Sequence, residues 1–438
     1  MYFLILHCSV YGSMLSKAQE EMFSMALVLP FTAIRPKKEF VSQVASLPYD
    51  VMTKEEGQKA ALGNPLSFLH VEKSEIDVPD GTKSDDRVIY ETAKKNFSKM
   101  KEEGIYKKDN LPFFYIYRQK MGNRMQTGIV ALVSVAEYEA GKIKKHELTR
   151  KDKEEDRIRH IQELNAQTGP VFITYEFQSV VNQIVEEEVK NNPEYEFTSD
   201  DGVVHTAWIV GNSARIEEIK KAFLSVNILY LADGHHRAEA ATEVARRRRR
   251  ADKNPANEIE EYDLIMAVLF PHNELRVMDY NRAVKDLNNM SVDSFIKTIS
   301  SKFIVKEDFK LKSPQKLHDF GMYVAGKWYQ LTPKKGIYDE SDPVASLDAS
   351  ILQSNLLEPV LGITDPRTNQ RIKFVGGIRG MAELEKLVDK EGYSIAFSLY
   401  PSSLEQIMKV ADAGKIMPPK STWFEPKLRS GIFIHDIN

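Results

Sequence analysis

Apolar and polar positions follow two different periods along the chain, and segments of the two kinds alternate. Short runs rich in β-branched and aromatic residues predict strands; these are residues 27–31, 113–117, 128–134, 171–175, 228–232 and 263–270. Apolar residues at helical spacing among charged ones predict amphipathic helices; these span residues 85–103, 149–166, 177–191 and 238–250. The connections are short, so we predict an α/β fold of the mixed α+β kind.

The composition is typical of a globular protein without a membrane-spanning segment. Of the 438 residues, 42% are hydrophobic and 28% are charged, which is the balance of folded soluble domains. The length predicts two or three domains. No apolar run in the sequence approaches the roughly 18 residues that a membrane helix needs. A net charge of -3 argues against a general affinity for nucleic acid.

The N-terminal segment and the cysteine content bear on the cellular compartment. Cys8 is the only cysteine in the sequence, which excludes an intrachain disulfide and a cysteine-clustered metal site. Residues 1–6 resemble a short signal segment, but the first basic residue is Lys17 and no clear small-residue cleavage site follows. We therefore expect residues 1–24 to be a dispensable extension and the protein to be cytoplasmic.

The densest polar group lies where a predicted strand gives way to a predicted helix, at Asp233-Gly-His-His-Arg237. Helix N-termini attract anions through their backbone N–H groups, and Gly234 allows close approach of a ligand. His235, His236 and Arg237 add donors at the same point. Asp233 can orient a histidine or hold Mg²⁺. The pattern favours a phosphate site over a simple helix cap beside two surface histidines, and it argues against a histidine-held zinc.

Two further segments carry candidate chemistry. Glu147 stands beside three basic residues, which would keep its carboxylate ionised and able to act as a base. The alternative is an exposed charged turn before a helix capped by Thr149. Near the C-terminus, two prolines stiffen a turn that displays Lys420, Ser421 and Thr422, which suits a carboxylate or a phosphate. An ordinary surface loop explains the same composition.

Several of these segments resemble the domain-of-unknown-function 1015 family. The resembling blocks, in order, are residues 29–36, 48–51, 64–71, 146–149, 233–237 and 417–427. Because several long motifs occur in one order, the resemblance is specific and extends from about Met25 to His435. The family name itself implies no activity.

A second resemblance does imply an activity. The order of His146-Glu147, helix, strand, and strand leading into residues 233–237 is similar to the core of the ParB/sulfiredoxin superfamily. Free serine kinases of that superfamily use a glutamate as base and this turn at the nucleotide phosphates. The resemblance therefore implies that Glu147 is the base and that residues 233–237 form the phosphate and metal site. Residues 176–227 would be an insertion into this core.

These resemblances lead to one favoured function and an alternative. The favoured function is a kinase that uses Mg²⁺ with ATP or ADP to phosphorylate a free amino acid, first of all L-serine, with Glu147, Asp233 and His235 as catalytic residues. The alternative is a ParB-like nucleotide-binding regulator, or a nucleic-acid-associated protein that uses Arg246 to Arg250 as a basic patch.

The predicted domains are an N-terminal α+β region (25–143), the ParB/sulfiredoxin-like core (144–275) and a C-terminal α+β region (276–438).

Overall fold

The computed structural model describes residues 26–251 and 258–438. The predicted N-terminal extension, residues 1–24, lies outside the described residues. The chain forms two compact units. The first contains the described residues up to Lys144, then Thr149–Glu274 and Pro426–Asn438, and the second contains Lys145–Leu148 and Leu275–Glu425.

The first unit is built on a mixed nine-stranded sheet. Its strand order is β6-β11-β8-β12-β5-β4-β10-β9, and β1 also pairs with β5. The β6–β11 and β8–β12 pairs are parallel and the other pairs are antiparallel. The strands of this unit are β1 (Val28–Leu29), β2 (Ile34–Pro36), β3 (Tyr106–Lys108), β4 (Phe114–Met121), β5 (Arg124–Ser134), β6 (Ile143–Lys144), β7 (Ala166–Gln167), β8 (Val171–Tyr175), β9 (Tyr195–Thr198), β10 (Val204–Val210), β11 (Leu229–Asp233) and β12 (Leu264–Pro271). Two small ladders pair β2 with β3, and β7 with His435–Asp436.

Five helices, α5 to α9, contribute side chains to the core that buries the apolar residues of this sheet. The helices of the first unit are α1 (Val41–Val44), α2 (Lys54–Ala61), α3 (Leu69–Glu72), α4 (Arg87–Glu102), α5 (Val135–Glu139), α6 (Lys151–Leu164), α7 (Ser179–Glu188), α8 (Ser213–Phe223) and α9 (His235–Ala251). Helix α9 packs against α6, and its alanines at 238, 240, 241 and 245 are buried in the core with the sheet. Small side chains let a helix approach its neighbours closely, so α9 holds its N-terminus firmly at the end of β11.

The second unit contains a six-stranded antiparallel sheet with the order β15-β17-β16-β19-β14-β18, and a separate β13–β20 pair. Its strands are β13 (Val277–Met278), β14 (Tyr280–Val284), β15 (Phe303–Glu307), β16 (Phe320–Val324), β17 (Lys327–Pro333), β18 (Ile372–Gly376), β19 (Ile395–Leu399) and β20 (Trp423–Phe424). Its helices are α10 (Val292–Ile299), α11 (Asp348–Leu352), α12 (Gly380–Lys390) and α13 (Leu404–Asp412).

The predicted mixed α/β fold is confirmed, and so are most of the predicted elements. Strand β8 has the predicted limits, 171–175. The predicted insertion, residues 176–227, supplies α7, α8 and the β9–β10 hairpin, and this hairpin extends the main sheet by pairing β10 with β4. No helix in the described part of the chain is long and apolar enough to span a membrane.

Two predicted helix starts are wrong. Helix α6 begins at Lys151, and the residue before it is Arg150 rather than Thr149. A capping side chain must accept a hydrogen bond from the first turn, whereas the Thr149 hydroxyl donates to Glu154. Helix α9 begins at His235, three residues before the predicted start. The periodicity did not predict this start, because the three residues after Gly234 are all polar and show no apolar spacing.

Candidate active site

The predicted phosphate turn lies in the first unit, between β11 and α9. Gly234 joins the two elements with a φ of 85°, in the left-handed region that glycine adopts without strain. A Cβ atom at this position would lie 3.3 Å from Cα of Val171 on the neighbouring strand. The backbone conformation and the close approach both require glycine, so the turn cannot accept another residue without rearrangement.

Asp233 is the last residue of β11, and both of its carboxylate oxygens accept hydrogen bonds. Its Oδ1 accepts from the N–H of Gly234 at 2.8 Å, and its Oδ2 accepts from Nζ of Lys427 at 2.7 Å. Burial alone would raise the pKa of Asp233, but the charge and hydrogen bond of Lys427 outweigh it and hold the pKa well below its usual range. The carboxylate is therefore ionised at neutral pH.

Lys427 is a site residue that the sequence analysis did not identify as the partner of Asp233. Its side chain is 11% exposed, and its carbonyl accepts a hydrogen bond from Gln119 on β4 at 2.8 Å. The feature of the sequence that could have indicated Lys427 is its position at the end of the block 417–427, which carries part of the family resemblance. Within the first unit, Lys427 contacts the turn at residues 233–237 through its ion pair with Asp233.

The two histidines occupy the first turn of α9 but differ in their surroundings. His235 is buried, with 5% of its surface exposed. His236 is partly exposed, and its Nε2 accepts a hydrogen bond from the backbone N–H of Arg150 at 3.1 Å. A neutral imidazole that accepts at Nε2 carries its proton on Nδ1, so the start of α6 sets the tautomer of His236.

Arg237 is engaged by three groups within the first unit. Its Nη2 donates to Oε1 of Glu72 at 2.8 Å and to Oγ of Ser430 at 3.2 Å, and its Nη1 donates to the carbonyl of Pro170 at 3.2 Å. Gly169 lets the backbone pass this close, since a Cβ there would lie 2.6 Å from Nη1 of Arg237. Arg237 therefore anchors the start of α9, in addition to any contact that it makes with a ligand.

Glu72 is the buried centre of a charged network behind the turn. Its side chain is 1% exposed. Burial favours protonation, but the charges of Arg237 and Arg157 keep the pKa of Glu72 below its usual value. His160 is neutral at pH 7, because burial and the nearby Arg157 lower its pKa to about 4. Its ring lies with Nε2 at 3.1 Å from the carbonyl of Val71.

A cavity of about 470 Å³ borders this network in the first unit. Glu72, Arg157 and His160 line it, together with Tyr49. The guanidinium of Arg157 lies 3.8 Å from the centre of the Tyr49 ring, and that of Arg237 lies 5.8 Å from it. The block 48–51, which carries part of the family resemblance, therefore reaches the same polar region as the turn at 233–237.

The predicted base and the predicted substrate loop both belong to the second unit. Glu147 is partly exposed and lies in the short segment Lys145–Leu148. The backbone carbonyl of His146 accepts a hydrogen bond from the N–H of Met417 at 2.8 Å. The Nε2 atom of the His146 ring lies 3.5 Å from Oγ1 of Thr422. Glu147 thus follows a residue that contacts the loop directly, whereas residues 233–237 belong to the first unit.

The loop itself is held in a defined conformation. Lys420 is exposed and has a φ of 56°, which is uncommon for a residue with a side chain. The Ser421 hydroxyl donates to the carbonyl of Pro418 at 2.7 Å, and the carbonyl of Ser421 accepts from the hydroxyl of Ser402 at 3.3 Å. The positive φ of Lys420 is a strained backbone conformation. Backbone strain of this kind is retained where the surrounding structure enforces it, which is common at functional sites.

The arginine run at the end of α9 is largely neutralised within the first unit. Arg246 pairs with Glu139, Arg247 pairs with Glu155 and Glu243, and Arg249 pairs with Asp263. Arg248 donates to the carbonyl of Ile437 at 2.6 Å. Arginines already paired with carboxylates have little charge left for phosphates, so the predicted basic patch is weaker than its sequence suggests.

The comparison with protein families decides the classification. The model of the family described as "Protein of unknown function (DUF1015)" matches residues 28–350 of the 438. The chain belongs to this family. The DUF1015 match includes Glu147 and the turn at 233–237, and the loop at 420–422 lies beyond its end. A comparison with curated proteins gives no match.

The DUF1015 chain also has similar solved structures, all of low sequence identity. A conserved hypothetical protein from Pyrococcus furiosus is 14% identical, with a TM-score of 0.34, over 69% of this chain and 94% of that one. A free serine kinase in complex with AMP is 12% identical, with a TM-score of 0.35, over 69% of this chain and 91% of that one. A C-terminally truncated SbnI from Staphylococcus aureus is 11% identical, with a TM-score of 0.37, over 68% of this chain and 82% of that one.

Proposed function

We propose that this protein is a kinase that transfers a phosphoryl group from ATP or ADP to a free amino acid, with L-serine as the first candidate. The turn at Gly234 carries the proposal. Its φ of 85° lets helix α9 begin directly after β11, and the backbone N–H groups in the first turn of a helix bind phosphate in many nucleotide sites. The resemblance of residues 146–147 and 233–237 to free serine kinases supplies the reaction.

In the proposed reaction, Glu147 accepts the proton of the substrate hydroxyl. The hydroxyl oxygen forms a bond to the terminal phosphorus of the nucleotide, and the bond from that phosphorus to the bridging oxygen breaks. The products are the phosphoamino acid and the nucleotide shortened by one phosphate. A positioned base of this kind contributes typically 10²–10⁴-fold to the rate.

The first-unit turn would stabilise the charge of the transferring group. His235, His236 and Arg237 supply donors around the N-terminus of α9, and such electrostatic groups dominate catalysis of phosphoryl transfer. The anchoring of Arg237 by Glu72 at 2.8 Å supports a fixed geometry for this turn.

Asp233 is the residue that would hold Mg²⁺. Among residues 26–251 and 258–438, no group of three or more His, Cys, Asp or Glu side chains could hold a metal ion. Mg²⁺ commonly binds through one or two carboxylates with phosphate oxygens and waters, so an ionised Asp233 fits an ion that arrives with the nucleotide. Bound there, Mg²⁺ would neutralise charge on the phosphates.

The loop of Lys420, Ser421 and Thr422 would bind the amino acid. Its contact with His146, the neighbour of Glu147, supports a substrate position close to the base. The ammonium of Lys420 and the hydroxyl of Thr422 are donors that suit the carboxylate of a free amino acid, while the Ser421 hydroxyl, which donates to Pro418, holds the loop in shape.

The test is direct incubation of the purified full chain with Mg²⁺, ATP or ADP, and a panel of amino acids. We expect phosphorus NMR to detect O-phosphoserine with one of the two nucleotides. Nucleotide binding by calorimetry without any phosphoamino acid would contradict the kinase and favour the nucleotide-binding regulator instead.

A further inference from the structure

Arg282 on β14 is a buried cation in the second unit, with 3% of its surface exposed. It donates hydrogen bonds to two backbone carbonyls, those of Tyr280 and Lys420, the latter at 3.2 Å. Its guanidinium also lies 5.4 Å from the centre of the Phe374 ring. None of these partners carries a negative charge.

The other buried arginines of the described chain are all paired with carboxylates. Arg35 pairs with Asp109, Arg157 with Asp156, and Arg429 with Asp201. Within the described residues, Arg282 alone among the buried arginines forms no ion pair. A buried charge without a partner is strongly destabilising, so its retention here indicates a role that the folded chain alone does not explain.

The carboxylate that acts on Arg282 electrostatically is Asp348. It is held by His318, whose Nδ1 lies 2.8 Å from Oδ1 and whose backbone N–H donates to the same carboxylate at 3.1 Å. Burial lowers the pKa of Arg282 to about 10, because the charge of Asp348 offsets only part of the cost of burial. The guanidinium still carries its charge at neutral pH.

The position of Arg282 links this charge to the predicted substrate loop. The carbonyl that it binds belongs to Lys420, the residue with the left-handed backbone. The Nζ of Lys420 lies 5.8 Å from the ring of Tyr280, whose carbonyl is the other acceptor of Arg282. A guanidinium has five N–H donors. Its hydrogen bonds to described residues use two of them, so the remainder can serve a planar anion.

We propose that Arg282 binds the carboxylate of the amino-acid ligand at the Lys420–Thr422 loop. The inference rests on the proposed function for the identity of the ligand and adds the residue that selects its carboxylate. A carboxylate placed there completes the missing ion pair, and its planar oxygens match the guanidinium fork.

The test compares two ligands that differ only in this group, L-serine and L-serinamide. Calorimetry should show that the wild-type full chain binds L-serine at least about tenfold more tightly, as expected for a charged hydrogen bond. In Arg282→Gln this preference should fall to nearly none. Arg371→Gln is the matched control, because Arg371 belongs to the same unit but pairs with Asp286, and it should keep the full preference.

The ratio of the two affinities is informative even if Arg282→Gln binds both ligands weakly. Should that variant fail to fold, Arg282→Lys retains the charge without the fork, and we expect an intermediate preference. A crystal structure of the wild type with L-serine should place a carboxylate oxygen within hydrogen-bond distance of Arg282. A carboxylate bound elsewhere, a wild type without the preference, or an unchanged preference in both Arg282 variants would overturn the inference.

These outcomes are separable from failure of the kinase proposal. Formation of O-phosphoserine together with an Arg282-independent preference would overturn the inference alone. An Arg282-dependent preference without any phosphoamino acid would overturn the kinase and leave this binding site in place.

Discussion

Lys427 and Asp233 are 194 residues apart in the sequence, yet Nζ of Lys427 lies 2.7 Å from Oδ2 of Asp233. The ion pair joins the C-terminal segment of the first unit to the end of β11. Because this pair lowers the pKa of Asp233 against the effect of burial, it fixes the charge of the residue that opens the predicted phosphate turn.

Lys427→Met should raise the pKa of Asp233 and destabilise the protein most strongly at neutral pH. A carboxylate whose pKa is lowered by folding stabilises the protein at any pH above its pKa in the unfolded chain, about 4. This stabilisation disappears as the pH falls through the pKa that the group has in the folded protein. The difference in free energy of unfolding between wild type and variant should therefore shrink below about pH 4. Urea unfolding at pH 3 to 7 measures it.

Lys120→Met is the control for this experiment, because Lys120 is exposed at the end of β4. Its free energy of unfolding should match the wild type at every pH. A destabilisation by Lys427→Met that does not change with pH would show that Lys427 acts through packing rather than through Asp233.

Gly234→Ala should lower both stability and nucleotide affinity. A left-handed conformation costs a residue with a side chain about 1–2 kcal/mol, and the new Cβ would meet Val171 at 3.3 Å. Gly122→Ala is the matched control, because Gly122 also has a positive φ, 62°, but no neighbouring atom within 4 Å of a Cβ. Denaturation and calorimetry should show a stability loss in both variants and an affinity loss only in Gly234→Ala. Equal nucleotide affinity in the two variants would contradict a phosphate site at this turn.

Arg237→Met should destabilise the first unit by about 3–5 kcal/mol, the usual effect of removing one partner from a buried ion pair. The cause is Glu72, which would remain buried and would keep only the more distant guanidinium of Arg157, at 3.7 Å, as a cationic partner. Adding Glu72→Gln should recover part of this loss, and a double-mutant cycle in urea measures the coupling. Additive losses would mean that the two side chains do not stabilise each other.

This double variant also separates the two roles of Arg237. If Arg237 binds nucleotide phosphate as well, the affinity should stay low even where Glu72→Gln restores stability. Recovery of affinity together with stability would assign Arg237 a purely structural role.

The presence of a strand before the turn and of a helix after it could be predicted from local pattern alone, although the start of that helix could not. Strand β8 was predicted with its observed limits because its five apolar and β-branched residues are bounded by proline and a charged residue. The partners of the turn could not be predicted in this way. Glu72 and Lys427 lie 165 and 194 residues from Arg237 and Asp233, and such contacts depend on the order of strands in the sheet, which periodicity does not encode.

Local chemistry also misled in one place. Thr149 precedes a charged helical segment and has the side chain of an N-cap, but its hydroxyl is engaged by Glu154 and the helix begins two residues later. The same limit applies to Arg282, which looks like an ordinary strand residue in the sequence. Its importance follows from the absence of a carboxylate partner among the described residues, which only the packing of β14 reveals.

Duplex DNA should bind poorly despite the five consecutive arginines. Arg246, Arg247 and Arg249 are paired with carboxylates of the first unit, so few cations can release counterions from DNA. Fluorescence anisotropy at 0.15 M salt should show no binding tighter than about 10⁻⁴ M, the weak end of non-specific affinity. Tight binding that weakens in Arg250→Ala would instead support the nucleic-acid alternative.

The most direct test of the proposed kinase is the turnover of Glu147→Gln with L-serine and the active nucleotide. Glutamine keeps the shape of the side chain but cannot accept the hydroxyl proton. The formation of O-phosphoserine, followed by phosphorus NMR, should fall by at least about a hundredfold, while calorimetry should show an unchanged nucleotide affinity. Undiminished turnover in Glu147→Gln would contradict the assignment of Glu147 as the base.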